Sequence, residues 1–165
     1  MKVDGEAFRA ALRRWVSGVT IVTARHRDSV HGMTVSAFSS VSLDPPLVLV
    51  CADKASNTLA VIDAGGVFAV NLLAADQQEL SDRFASKEDE ERRFEGLSCT
   101  QAATGAPILP GVLAALDCRV SAAHEAGDHV IYVGRVEAVV GGDGDGAPLV
   151  YCDGGYRSLR EPEAG

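Results

Sequence analysis

The stretch GMTVSAFSSVSLDPPLVLVCADKASNT, residues 32–58, changes character three times. It opens as a strand thick with small hydroxyl residues, breaks at Pro45-Pro46, resumes as the bare apolar run Leu47 to Val50, and closes on a polar segment. From Met33 to Ser42, alternation puts Val35, Ala37 and Val41 on one face and Thr34, Ser36, Phe38, Ser40 and Ser42 on the other. One face suits a core and the other can hydrogen-bond. Asp44-Pro45-Pro46 cannot continue a ladder and forces a turn, after which Leu47 to Val50 reads as a strand buried on both faces. Ser56 or Asn57 is then the N-cap of a short helix through Leu59, Val61 and Ile62 that stops at Gly65-Gly66. Two strands and a helix start, with Lys54 beside it, make a pocket wall ending in an anion site.

Working outward, Phe8, Leu12, Trp15 and Val16 recur at helical spacing and predict an amphipathic helix laid on a barrel and ended by Gly18. VTIVTA (19–24) reads as a strand, and RHRDSVHG (25–32) as a hairpin loop without an Asn-Gly signal. Val67 to Leu72 is a further strand, and Asp76 with Glu79 resembles a capping box opening a helix through Leu80 to Phe84. SKEDEERRFEG (86–96) reads as a solvated charged segment, and Ser98 to Gly111 as a surface connection. Two long β segments, Val112 to Ala123 and His129 to Val140, precede the flexible turn GGDGDGAP (141–148) and a short last strand, Leu149 to Tyr151. About seven strands with few helices predict a mainly β barrel or sandwich with peripheral helices.

A chain of 165 residues with 47% hydrophobic content suits a single domain, 1–165, with a substantial core. The net charge of −8 speaks against nucleic acid and anionic membrane as partners, because the Lys and Arg residues are scattered among acids. No apolar run nears the roughly 20 residues of a membrane span. MKVDGEAFRAALRR is unlike a secretory leader, so a cytoplasmic protein is expected. Cys51, Cys99, Cys118 and Cys152 lie far apart with no C-x-x-C pair, and read as reduced, mostly buried residues rather than metal ligands.

The order of GVTIVTA (18–24), GMTVSAFSSVSLDPPLVLVC (32–51), KASNT (54–58), FAVNLL (68–73), LSDRFA (80–85), RFEG (93–96), GDHVIYVGRV (127–136) and YCDGGYRSL (151–159) resembles the FMN-binding split-barrel flavin reductases. These are the reductase components of two-component flavin-dependent monooxygenases. The resemblance runs from Phe8 to Leu159 and implies a split β-barrel with peripheral α-helices. It further implies an NAD(P)H:flavin oxidoreductase that passes hydride from NADH, rather than NADPH, to FAD or FMN. Reduced flavin would then diffuse to a partner monooxygenase, and the working unit would be a homodimer. No Arg cluster marks a 2′-phosphate site, which is the sequence basis for NADH.

By position, the resemblance sets Thr34, Val35, Ser36 and Ala37 along the isoalloxazine ring, largely through backbone groups. Ala37 departs from a family pattern of a second hydroxyl there, which shifts ring contacts further onto the backbone. Cys51, Ala52, Asp53, Lys54, Ser56, Asn57 and Thr58 match the run beside the ribityl chain and phosphate, and Arg83, Phe84 and Ala85 complete the phosphate side. His129 is the matched catalytic position and, with Tyr156 and Arg157, belongs to the nicotinamide side. Hydride passes directly from nicotinamide C4 to flavin N5, so the protein must stack two rings at near-attack distance rather than move protons. That agrees with the lack of any evident nucleophile, carboxylate pair or metal triad.

From the residues alone, plainer roles stand beside these. The hydroxyls of Thr34, Ser36, Ser39 and Ser40 suit the solvent face of an antiparallel strand, Ser56 and Thr58 suit helix caps, Lys54 suits a surface charge, His129 a turn and Tyr156 packing. Two other functions fit the same barrel: a reductase that keeps its flavin and reduces a quinone, metal complex or corrinoid, and a non-catalytic flavin- or haem-binding module.

Overall fold

The computed structural model describes residues 3–141 and 146–159. The turn predicted over 141–148 falls, at residues 142–145, outside the described residues. The chain runs α1 (Gly5–Leu12), β1 (Ser17–Gly18), β2 (Thr20–His26), β3 (Ser29–Val35), β4 (Phe38–Leu43), β5 (Pro46–Asp53), α2 (Asn57–Gly65) and β6 (Val67–Leu72). There follow α3 (Gln78–Ala85), the single 3₁₀ turn Glu90–Arg92, β7 (Ala114–Ala126), β8 (His129–Gly141), β9 (Val150–Cys152) and β10 (Gly155–Arg157).

Seven strands form one antiparallel sheet in the order β3-β2-β6-β7-β8-β5-β4, and β1, β9 and β10 form a small second sheet. β3 and β4 are consecutive in sequence yet lie at opposite edges of the large sheet. Only a strongly curled sheet lets Ser36-Ala37 join its two edges, and the Cys51 amide donates to Ala37 O at 3.0 Å where they meet. Bulges at Ser40/Ser42, Asp117/Cys118 and Val120/Ala122 add to the curl. The edges approach without pairing, so the barrel is split.

Inside it pack Val22, Val35, Val48, Val50, Phe68, Val70 and Tyr132. The Phe68 ring lies so close to Gly134 that a β-carbon there would sit 2.4 Å from Phe68 Cζ. A second core on the other side of β2 and β6 gathers Ile21, Leu73, Phe84, Ile108, Leu109 and Ala115. α2 is capped as expected, with Ser56 Oγ accepting from Thr58 N at 3.3 Å and Gly66 closing the helix at φ +65°.

Several expectations change. The strand predicted over 33–42 is two strands, and the break at Ser36-Ala37 shifts the alternation, leaving Ala37 and Val41 exposed. β5 alternates, with Val48, Val50 and Ala52 buried and Leu47, Leu49 and Cys51 half-buried on its outer face; β2 and β6 are the strands covered on both sides. The loop at 25–32 shrinks to a two-residue turn, Arg27-Asp28, with Arg27 at φ +53°.

α1 forms but is not laid on the barrel: none of its residues is buried, and Trp15 beyond it is 76% exposed. No capping box opens α3, because the residue before it is Gln77, whose Oε1 instead accepts from Ala74 N. The 98–111 connection is not purely a surface one, since Ala106, Ile108 and Leu109 are buried. A tenth strand, β10, follows the one expected as last. Of the cysteines only Cys118 is buried; all four are free thiols. No helix of the described residues is long and apolar enough to cross a membrane.

Candidate active site

The crossing at Ser36-Ala37 separates two adjoining clefts. The larger, about 720 Å³, lies between α1 and the outer face of β4 and β5, lined by Trp15, Ser36, Ala37, Leu49 and Cys51 among others. The smaller, about 500 Å³, opens between α3 and β10, lined by Thr34, Ser36, Ser81, Asp82, Ala85 and Tyr156. Ser36, Tyr151 and Gly154 border both. Among the described residues no backbone carbonyl accepts from the Ser36 or Ala37 amide. Two adjacent N–H groups without a backbone acceptor, on residues that border the clefts, are donors available to a bound heterocycle.

The smaller cleft is braced by side chains. Thr34 Oγ1 donates to Ser81 O at 2.6 Å, and the Tyr156 hydroxyl donates to Asp82 Oδ1 at 2.6 Å while lying 2.9 Å from Ser81 Oγ. Burial, and then the Asp82 carboxylate, push the Tyr156 phenol upward and keep it protonated. Gln78, Ser81, Asp82 and Ala85 share one face of α3 at the i, i+3, i+4, i+7 spacing. That spacing was the available signal for Ser81 and Asp82, which were not among the expected site residues.

Other expected residues divide by location. The side chains of Val35, Ala52 and Phe84 lie in the cores, with Phe84 edge-on to Phe94 at 5.2 Å, and are closed to a ligand. Thr58 is fully buried, its hydroxyl 2.6 Å from His31 Nδ1. Ser56 caps α2 and also contacts Met33 Sδ at 3.2 Å. Asn57 Nδ2 donates to Glu90 Oε2 at 2.9 Å, and Arg83 Nη2 donates to Arg92 O and Glu95 O, each at 2.6 Å.

The segment 86–96, expected as solvated, buries Arg93: its Nη1 donates to Gly32 O at 2.7 Å, and Nη2 reaches Ser86 O and Glu90 Oε1. Glu90 also meets His31 Nε2 at 3.2 Å. Burial and the Arg93 charge hold His31 below its ordinary value, and the Asn57 hydrogen bond lowers Glu90. The neutral His31 therefore donates from Nε2 to Glu90 and accepts the Thr58 hydroxyl at Nδ1.

At the C-terminal end of β5, Asp53 pairs with His129 across the β5–β8 ladder, and Asp53 Oδ1 accepts from Ala55 N at 2.8 Å. Lys54 Nζ reaches Glu125 Oε2 at 3.0 Å in solvent. His129 Nδ1 donates to Asp128 Oδ1 at 2.7 Å, which lowers the Asp128 carboxyl. His129 lines neither cleft at Ser36, while Tyr156 lines the smaller one and the exposed Arg157 donates from Nη1 to Tyr156 O. Within one chain the expected nicotinamide residues are thus not brought together. Among the described residues no group of three or more His, Cys, Asp or Glu could hold a metal ion.

Residues 12–160 match the flavin reductase like domain. The chain belongs to that family. It is 46% identical over 155 residues to an NADH-dependent flavin reductase of a Rhodococcus species, covering 92% of this chain and 85% of the relative. It is 42% identical over 157 residues to the reductase component of Thermus thermophilus 4-hydroxyphenylacetate 3-monooxygenase, covering 95% and 98% of the two chains. The crystal structure of nitrilotriacetate monooxygenase component B from Mycobacterium thermoresistibile superposes with a TM-score of 0.89 at 35% identity, covering 97% of this chain and 90% of that one. The protein is therefore an NAD(P)H-dependent flavin reductase of mainly β, split-barrel fold.

Proposed function

We propose that this reductase takes hydride from NADH in preference to NADPH, delivers it to an FAD or FMN that enters and leaves the site, and supplies the reduced flavin by diffusion to a partner monooxygenase. The observation that carries the reading is the Ser36-Ala37 crossing, where two free amides stand between clefts large enough for flat rings. When bound, the flavin supplies N5 as hydride acceptor and the nicotinamide supplies C4 as donor. The chain's part is to orient. Ser36 and Ala37 amides meet the ring edge, Thr34 and Tyr156 flank it, and Cys51 to Asn57 lead along the ribityl chain to the phosphate. Lys54 and Arg83 meet that phosphate as cations, and His129 and Arg157 receive the nucleotide.

The relatives' names support NADH as donor and an oxygenase as recipient. A homodimer is part of the reading. Phe8, Leu12, Trp15 and Val16 at the N-terminal arm, with Val41, Leu43 and Val139 on the barrel, are large exposed apolar side chains that a second copy can cover. It also offers His129 a way to meet the clefts from a neighbouring chain.

The test is nucleotide oxidation by protein stripped of flavin, with NADH or NADPH and with FAD, FMN or no flavin. NADH oxidation that rises with added flavin is expected. Protein that stays yellow through dialysis and ignores added flavin overturns the diffusible-flavin reading.

A further inference from the structure

The smaller cleft gathers Thr34, Ser36 and Ala85, all from the residues expected at the flavin, and adds Tyr156 opposite them. Tyr156 stands on β10, a three-residue strand paired through its backbone only with β9. So short a strand holds a ring in place poorly, and the ring's orientation must come from its side-chain partners. Those partners are on α3: Asp82 Oδ1 at 2.6 Å and Ser81 Oγ at 2.9 Å from the phenol oxygen. Ser81 is in turn fixed to β3, since its carbonyl accepts from Thr34 Oγ1. Tyr151 meets the Tyr156 ring edge-on, centroids 5.5 Å apart at 77°, so the two rings form a corner beside Ser36. Among the described residues no Lys, Arg or His forms an ion pair with Asp82, so its carboxylate is engaged by the phenol.

We infer that Asp82 is a positioning residue for the flavin: by holding the Tyr156 hydroxyl it fixes the aromatic wall of the smaller cleft, against which the isoalloxazine ring lies. Asp82 touches no reacting atom. Its effect passes through Tyr156, so the two substitutions must not act independently. The inference rests on reading the smaller cleft as the flavin site.

The test is flavin affinity of the full chain, measured by fluorescence quenching without nucleotide, together with turnover at saturating flavin and thermal midpoint. Asp82→Ala and Tyr156→Phe should each weaken flavin binding about tenfold, the scale of a hydrogen bond to a charged group. The double variant should be no weaker than either single one, because both remove the same bond. Asp82→Asn, whose amide oxygen still accepts, should recover most of the affinity. Turnover at saturating flavin should fall less than flavin affinity does, and the thermal midpoint of Asp82→Ala should stay near that of the unaltered protein. Losses that multiply in the double variant, a change confined to the nucleotide KM, or unchanged flavin affinity in variants of an active enzyme would each overturn the inference alone. Failure of the unaltered protein to bind flavin would overturn the reading of the cleft and this inference with it.

Discussion

Two charged corners of the molecule look equally polar in sequence and are built in opposite ways. At the start of α2, Arg93, Glu90 and His31 sit together with side-chain exposures of 5%, 19% and 18%, and every charge meets a partner. At the β7–β8 turn, Lys54 and Glu125 pair with 39% and 83% of their side chains exposed. Burial raises the cost of an unpartnered charge from almost nothing to several kcal/mol, so the first corner is built to keep its charges paired. The second keeps its charges in solvent, as the proposed phosphate role of Lys54 requires. The difference teaches that in this chain the crowded run 86–96 holds the fold together, while an isolated Lys carries the candidate chemistry.

The sharpest way to break the comparison is Arg93→Ala. It removes donors from Gly32 O, Ser86 O and Glu90 at once and leaves a carboxylate without its cation. A loss of about 3–5 kcal/mol in stability at neutral pH is expected, read from the urea midpoint at constant m-value. Lys54→Ala in the same assay should cost about 0.5 kcal/mol or less, as an exposed pair does. Equal losses would erase the distinction between the corners.

A smaller effect should appear with pH. His31 is held below its ordinary value of 6.5 by burial and by Arg93, so the folded protein resists the proton that the unfolded chain accepts. The unfolded state then binds more protons between the folded value and about 6.5, and stability falls as pH drops through that window. Protonation at Nδ1 also takes away the lone pair that accepts the Thr58 hydroxyl. Glu90, likewise lowered, adds its own loss further down, below its ordinary value of 4.5. Replacing His31 by Gln should flatten the stability curve just below pH 6.5 and leave the Glu90 part at lower pH. An unchanged slope in His31→Gln would show that the imidazole is not what titrates.

How much of this was legible beforehand follows the same division. Period-two and apolar patterns located most strands, and the Ser56 cap and Gly66 stop of α2 were readable because local chemistry alone sets them. The split between β3 and β4 was not, since nothing in SAFSS announces that the chain leaves one sheet edge for the other; only the curl of all seven strands makes that crossing short. Arg93 was read as solvated because a charged run normally is, and its burial depends on Gly32 and Ser86 approaching from other parts of the chain. Of the candidate clefts, the lining residues Thr34, Ser36, Ala37 and Cys51 were named through family resemblance. The inward turn of the Thr58 and Phe84 side chains on α2 and α3 was not legible, because it depends on what those helices pack against. Asp82 was missed although its helical spacing was in plain view.

The smallest expected change in stability tests the exposed corner most closely, through two substitutions of opposite sign. If Lys54 meets the flavin phosphate, Glu125 competes for the same ammonium across 3.0 Å. Removing the charge by Glu125→Gln leaves Lys54 free and should tighten flavin binding severalfold, while Lys54→Ala should weaken it by a similar factor. Neither should move the urea midpoint appreciably, because both side chains are solvated in the folded protein. Both shifts should shrink as salt is raised, since a Debye length of about 10 Å at 0.1 M ionic strength screens an exposed contact. A structural Lys54 would give a different signature: equal effects from both substitutions, in the same direction and on stability. Opposite signs on affinity with a still midpoint belong only to a charge whose partner in turnover is the ligand.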